Sequence, residues 1–222
     1  MKYIDLIIPT RNRWEKLQRC LQSIPKTLSQ VGLNIIIICD GDRETAERLI
    51  VSNNGQVGRI VFVTDHSGAV FCRNLVTQCA EDAVLYATDD IEFKLGAIEA
   101  AADAMREQFP DDDGVVGFNQ IGKQTFSKTG VALVGQQFLC RYPDKKLFYP
   151  EYFHFSCQEI ERLASKLGKL HFEERARLYH YHPNWERTEM DKTHSEARVY
   201  RGKDLGISRK RRANKIIWGD NG

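Results

Sequence analysis

Val84-Leu85-Tyr86-Ala87-Thr88-Asp89-Asp90-Ile91-Glu92-Phe93 is a short apolar run that ends in two adjacent carboxylates. Bounded by Glu81-Asp82 ahead and Asp89-Asp90 behind, Val84 to Ala87 reads as a strand buried on both faces of a parallel sheet. The two aspartates then lie at the strand's carboxyl end, where open α/β sheets bind their ligands. Adjacent carboxylates repel each other, and one remedy is a hard divalent cation. Mg²⁺ or Mn²⁺ takes oxygen ligands and completes its shell with water and phosphate oxygens. The plainer reading of the same pair is the start of a solvated turn.

Upstream of this stretch the pattern alternates strand and helix. Tyr3 to Ile8 reads as a strand cut off by Pro9, with Thr10 or Asn12 placed to cap a helix carrying Leu17, Leu21 and Ile24 at helical spacing. Leu33 to Cys39 is almost continuously apolar and ends at Asp40-Gly41-Asp42, before a helix carrying Ala46, Leu49 and Ile50. Arg59 to Val63 is a third strand, followed by the turn Asp65-His66-Ser67-Gly68 and a helix with Val70, Cys72, Arg73, Asn74, Leu75 and Cys79. A second carboxylate, Asp40, thus falls at the carboxyl end of a strand.

Downstream, Leu95 to Phe109 predicts a helix with Ile98, Ala101, Ala102, Met105 and Phe109 on one stripe. Pro110-Asp111-Asp112-Asp113-Gly114 is turn chemistry at its end, in preference to a metal cluster. Val115 to Phe118 is a further strand, and Asn119 to Ser127 reads as loop. Alternation up to this point implies a parallel sheet with right-handed crossovers. Beyond Gly130 a strand is expected over Val131 to Val134 and an aromatic-rich packed loop over Tyr142 to Phe155. Ser156 or Cys157 precedes a helix over Gln158 to Leu167 that ends at Gly168. Leu170 to Phe172 and Ala176 to Tyr181 predict two short strands leading to His180-Tyr181-His182-Pro183. From Asn184 the chain is polar and increasingly basic. His66, His154, His171 and His194 are read as loop or surface residues.

The 222 residues, 42% hydrophobic and 28% charged, suit an ordinary globular protein able to bury a substantial core. A formal charge of +2 says little about partners until its distribution is known. There is no apolar run of about 18 residues, and Met1-Lys2-Tyr3-Ile4-Asp5 leads straight into a strand, so a soluble, cytoplasmic protein is expected. The six cysteines are irregularly spaced without a Cys-x-x-Cys pair, and are read as reduced core residues.

Four landmarks in order resemble the inverting glycosyltransferases of family 2. They are Ile7-Ile8-Pro9-Thr10-Arg11-Asn12-Arg13, Cys39-Asp40-Gly41, Gly68 with Arg73-Asn74, and Ala87-Thr88-Asp89-Asp90. The match spans residues 3 to 95 and continues more loosely to His182. The resemblance implies a GT-A fold, an α/β class with a Rossmann-like, mostly parallel central sheet flanked by helices and a C-terminal acceptor-side elaboration. It implies a GT-A domain over 1–183, with a nucleotide-sugar-binding half (1–118) and an acceptor-side half (119–183), and leaves 184–222 as a basic extension.

What the resemblance implies for the site is a metal-dependent transfer of sugar from a nucleotide-sugar, most commonly UDP-linked, to a hydroxyl acceptor, by default a glycan. Pro9, Thr10, Arg11, Asp40, Arg73 and Asp89 would bind the donor, and a carboxylate such as Asp40 is suited to accept hydrogen bonds from a base or ribose. Asp90 would bind Mn²⁺ or Mg²⁺, joined by a late histidine, His180 or alternatively His182. The cation would neutralise the departing diphosphate, and a carboxylate would take the acceptor's proton. Glu159 is the candidate base, with Glu161 also open. Both also suit the helix N-terminus by charge alone.

Two other readings compete. A nucleotidyltransferase would carry a glycine-rich phosphate loop after the first strand, where this chain has Pro9-Thr10-Arg11-Asn12. A nucleic-acid-binding role would rest on the basic C-terminal residues. The two ideas merge in a glycosyltransferase whose acceptor is a nucleic acid.

Overall fold

Ala83–Tyr86 forms β4, buried at all four residues, between β1 (Tyr3–Thr10) and β7 (Ala132–Val134). The computed structural model describes residues 1–25, 28–52, 55–121, 127–154, 157–183 and 188–220. With β2 (Gly32–Asp40), β3 (Arg59–Val63), β5 (Ile91–Phe93), β6 (Val115–Ile121) and β8 (Leu170–His180), the strands make one sheet in the order β3-β2-β1-β4-β7-β6-β8-β5. The pairs β1·β2, β1·β4, β2·β3 and β6·β8 are parallel, and β7 and β5 pair antiparallel with their neighbours.

Apolar side chains leave the central strands on both faces and build two cores. Ile4, Leu6 and Ile8 pack with Leu17, Leu49, Ile98 and Met105, which places α1 (Trp14–Ser23), α2 (Arg43–Ser52) and α4 (Ala97–Gln108) on one face. Ile7, Ile36 and Ile38 pack with Val70, Val76, Phe138 and Leu163, which places α3 (Ala69–Thr77), α5 (Gln136–Leu139) and α6 (Cys157–Lys166) on the other. This α/β/α layering is why β4 reads as a continuous apolar run without alternation. α7 (Lys192–Ala213) is the last helix among the described residues, which run on to Asp220. Among the described residues no helix is long and apolar enough to cross a membrane.

Several local expectations are corrected. β1 runs through Pro9 to Thr10. The Ile7 carbonyl accepts from the Ala87 N–H, so Ile7 and Pro9 both aim their backbone groups at β4, which has ended at Tyr86. The missing proline N–H therefore breaks no ladder bond. Neither Thr10 nor Asn12 caps α1: the N-cap is Arg13, without a side-chain bond, and Asn12 adopts φ 53°. Ile50 is exposed on α2. Asn119 to Ile121 continue β6 instead of starting a loop, and residues 122–126 lie outside the described set, as do Phe155 and Ser156. The two short strands expected after Gly168 are one strand, β8, whose register slips opposite Phe118/Asn119. That bulge interrupts the apolar pattern at Glu173 to Arg175 without ending the strand. The acidic turn is a turn: Asp112 pairs with the N-terminal amine, and Asp113 with Arg141 and Lys169.

Candidate active site

The strand order reverses between β1 and β4, and a crevice opens there beyond their carboxyl ends. Thr10 at the end of β1 donates its hydroxyl proton to Asp89 Oδ2 at 2.8 Å, so the first and fourth sequence landmarks are joined directly. The crevice is a cavity of about 390 Å³. Its wall holds the candidate donor residues Pro9, Thr10, Arg11, Asp40, Arg73 and Asp89, the candidate metal ligands Asp90 and His180, and the candidate base Glu159. His182 also lines it. Glu161 does not: its carboxylate accepts from the Ser127 hydroxyl and the Lys128 N–H.

Asp89 and Asp90 sit in the turn between β4 and β5 and are nearly inaccessible. Arg13 Nη1 reaches both, at 3.0 Å to Asp89 and 3.4 Å to Asp90, while its Nη2 donates to Asp191. Burial drives the Asp89 pKa up against the pull of Arg13, and the neighbouring Asp90 charge adds to the rise. For Asp90 burial is overcome by His180, His194 and Arg13, which hold its carboxyl well below the usual range. The solvated turn is thereby excluded: these are two desolvated acids sharing one guanidinium.

Asp90 lies between two imidazoles. His180 Nε2 is 3.2 Å from Oδ1 and His194 Nε2 is 3.3 Å from Oδ2. Gln120 Oε1 lies 2.9 Å from His180 Nδ1 and orients the ring. That contact directs Nε2 toward the carboxylate, the ring nitrogen that would join Asp90 in holding a cation. Both ring nitrogens of buried His194 lack an aligned hydrogen bond. Among the described residues no three His, Cys, Asp or Glu side chains are already spaced around one cation position. As a donor set, one carboxylate and two imidazoles fit Mn²⁺ better than Mg²⁺.

At the donor end, Asp40 accepts from the Ser67 and Gly68 N–H groups at 2.7 and 3.0 Å, which pins the turn into α3. Gly68 has φ 89°, and a Cβ there would lie 2.6 Å from the Phe153 carbonyl oxygen, so only glycine fits. Arg11 Nη1 donates to the Asp40 carbonyl, and its Nε pairs with Glu196. Arg73 is not a surface cation. It is buried, donates to the Ala87 carbonyl at 2.9 Å and lies by the rings of Tyr86 and Phe148, and burial lowers its pKa.

Glu159 is buried and fully engaged. It accepts from Arg211 through both oxygens (2.7 and 3.1 Å), from the Tyr152 hydroxyl (2.6 Å) and from the Trp218 N–H (2.8 Å). Burial raises its pKa, but these donors more than reverse that, and the net shift is downward. Arg211 and Trp218 belong to the C-terminal stretch, which packs against the site along its length. Asp191 caps α7 and binds Arg13 and Lys16; His194 meets Asp90; buried Asp204 accepts from the Phe153 and His154 N–H groups.

His154 lies half-buried in the cavity wall, where burial, with Arg73 and Arg13 adding, pushes its pKa down to about 3. Between that value and the unfolded value near 6.5 the unfolded chain binds the proton and the native one does not, so stability falls as pH falls. Between pH 7 and 5 this group should remove about 2 kcal/mol. Urea unfolding of wild type and His154→Gln at both pH values checks it: the variant should lose that much less, and parallel losses would contradict the assignment.

Arg13, Asp191 and His194 escaped the sequence reading. Arg13 stood inside the first landmark without a role. His194 was read as a loop or surface residue, yet it is buried beside Asp90. Only the i, i+3 pairing of Asp191 and His194 at a helix start was visible locally, and it resembles ordinary capping.

No protein-family model matches the chain, and no curated protein matches it. Solved structures do. S. aureus TarS in complex with UDP superposes with TM-score 0.64 at 18% identity, over 81% of this chain and 60% of that one. GalNAc-T7 with UDP, GalNAc and Mn²⁺ gives 0.64 at 15% identity, over 81% and 44%. The mannosyltransferase PcManGT from Pyrobaculum calidifontis, with GDP-Man and Mn²⁺, gives 0.65 at 13% identity, over 91% and 61%. The chain spans less than two thirds of each of these proteins. What it shares with them is the architecture: its fold is that of the GT-A glycosyltransferases.

Proposed function

We propose that this protein is a metal-dependent, inverting glycosyltransferase that moves a sugar from a UDP-linked donor to a hydroxyl acceptor, with residues 1–118 as the donor half and 119–183 as the acceptor half. The observation that carries the reading is the meeting of Thr10, Asp89 and Asp90 in one cavity at the strand reversal. Its similarity in fold to proteins solved with UDP, GDP-Man and Mn²⁺ supports the choice of donor class.

In this reading Asp40 and Thr10 hold the nucleoside, Asp89 the ribose, and Pro9 and Arg11 shape the pocket. Arg73 fixes the end of β4 through the Ala87 carbonyl. Asp90 and His180, with His194, would hold Mn²⁺ or Mg²⁺. When bound, the cation supplies Lewis-acid neutralisation of the leaving diphosphate. Arg13 keeps Asp89 and Asp90 together without ligand and adds positive charge to the same region. Glu159 takes the acceptor's proton opposite the leaving group. Its oxygens are occupied by Arg211, Tyr152 and Trp218, so an acceptor hydroxyl must displace one of those donors.

The test is turnover of UDP- and GDP-sugars with Mn²⁺, read as nucleoside diphosphate released and as the anomeric configuration of the product by NMR. One nucleotide series should be consumed with inversion. Retention of configuration, or release of pyrophosphate in place of a nucleoside diphosphate, would overturn the reading.

A further inference from the structure

The outer side of α7 is chemically one-sided. Nine of the chain's 32 Lys and Arg residues fall between 192 and 215, against only two of its 30 Asp and Glu. Both of those acids are occupied inward: Glu196 pairs with Arg11, and buried Asp204 holds the Phe153 and His154 N–H groups. The chain's net charge is only +2, so the rest of the molecule is acidic overall and the cations are concentrated on this helix.

Their placement follows helical spacing. At about 100° per residue, Arg198, Arg201, Arg209 and Arg212 fall on one side, the side on which Arg198 and Arg201 border the cavity. At 1.5 Å per residue this row is about 21 Å long, roughly six base-pair steps of a duplex. Gly202 and Gly206, one turn apart, lie beside it. A Cβ at either would meet nothing, so neither glycine is required by the chain's own packing, although each weakens a helix. They leave a strip without side chains along which a polymer backbone can approach between flanking cations. Tyr200, also on α7, stacks on Phe153 of the cavity wall with ring centroids 3.6 Å apart.

We propose that α7 is the acceptor-docking surface and that the acceptor is a nucleic acid, its phosphates lying along the arginine row and its reacting nucleotide entering the cavity beside Phe153, on which Tyr200 stacks. Arginine forks pair with phosphate through two parallel hydrogen bonds, and an aromatic ring beside a cationic track gives a base a stacking face. An anionic glycan would use the cations but has no base for the ring. This inference rests on the transferase reading for the word acceptor, and it replaces a glycan in that place.

The test is fluorescence anisotropy of the full chain with labelled single- and double-stranded oligonucleotides across a salt series, with a melting-temperature assay for UDP and Mn²⁺ run in parallel. Wild type should bind at least one oligonucleotide form, with affinity falling linearly on a log–log salt plot. Arg209→Ala/Arg212→Ala should weaken binding about tenfold and flatten the salt slope by about one to two, with the UDP shift unchanged. Gly202→Ala/Gly206→Ala should raise the melting temperature yet weaken oligonucleotide binding, an opposition that mere helix stabilisation cannot produce. Absence of oligonucleotide binding with the UDP shift intact overturns the proposal and leaves the transferase reading standing. Equal competition by a phosphate-containing glycan polymer overturns the choice of nucleic acid. Oligonucleotide binding without any nucleotide shift upholds the docking surface and removes the transferase reading.

Discussion

Asp90→Ala is expected to lower the rate of sugar transfer by about 10³-fold or more, because a Lewis acid at a leaving diphosphate is worth several kcal/mol and each 1.4 kcal/mol is a factor of ten. The side chain is the common neighbour of His180 and His194, so its removal takes the central donor from the set that would hold Mn²⁺. Arg13 keeps Asp89 and Asp191 as partners, so the fold should survive. The check is kcat/KM as a function of Mn²⁺ concentration beside the melting temperature. Activity within tenfold of wild type, in a folded variant, would remove Asp90 from the metal site.

Glu159→Gln is expected to lower kcat by about 10²–10⁴-fold, the range for loss of a general base, while leaving donor binding intact. The same substitution breaks the pair with Arg211, so a structural effect must be separated from a chemical one. Arg211→Ala breaks the pair from the other side and leaves the carboxylate in place. It should lose stability comparably, since losing one partner leaves a largely desolvated charge behind, and yet keep kcat within about tenfold of wild type. Because the Glu159 pKa is lowered in the native state, its contribution to stability is present above the unfolded carboxylate value and fades as pH falls below it. Arg211→Ala should remove much of that acid sensitivity. If both variants lose kcat equally, Glu159 acts only by holding the C-terminal stretch in place.

The sheet was legible in the sequence because its signals are local. Continuous apolar runs marked β2 and β4 as buried strands, and the polar residues just past β1, β2 and β4 in that reading include the cavity-lining Thr10, Asp40 and Asp89. The C-terminal half was less legible. β8 looked like two strands because its bulge carries Glu173 to Arg175. The sequence favoured Glu159 and left Glu161 open, and the turn of α6 separates them, aiming one at the cavity and the other at Ser127. The role of α7 could not be read from periodicity. Only His194, Ala197 and Asp204 are buried along its 22 residues, so it has no apolar stripe and is held by polar pairs to Arg11, Arg13, Asp90 and Glu159. Those partners lie as far as 185 residues away in the chain, and a motif that closes only in space leaves no spacing to recognise.

The most direct test of the central claim is a melting-temperature titration of wild type and Asp90→Ala with UDP, GDP and their sugars, in Mn²⁺, Mg²⁺ or EDTA. At about a hundred times its Kd a ligand adds roughly 2.7 kcal/mol, a shift on the order of 5–10 °C. A UDP-series shift that requires Mn²⁺ and vanishes in EDTA and in Asp90→Ala is the result expected. No shift with any nucleotide under any metal condition would contradict a nucleotide-sugar site at the strand reversal.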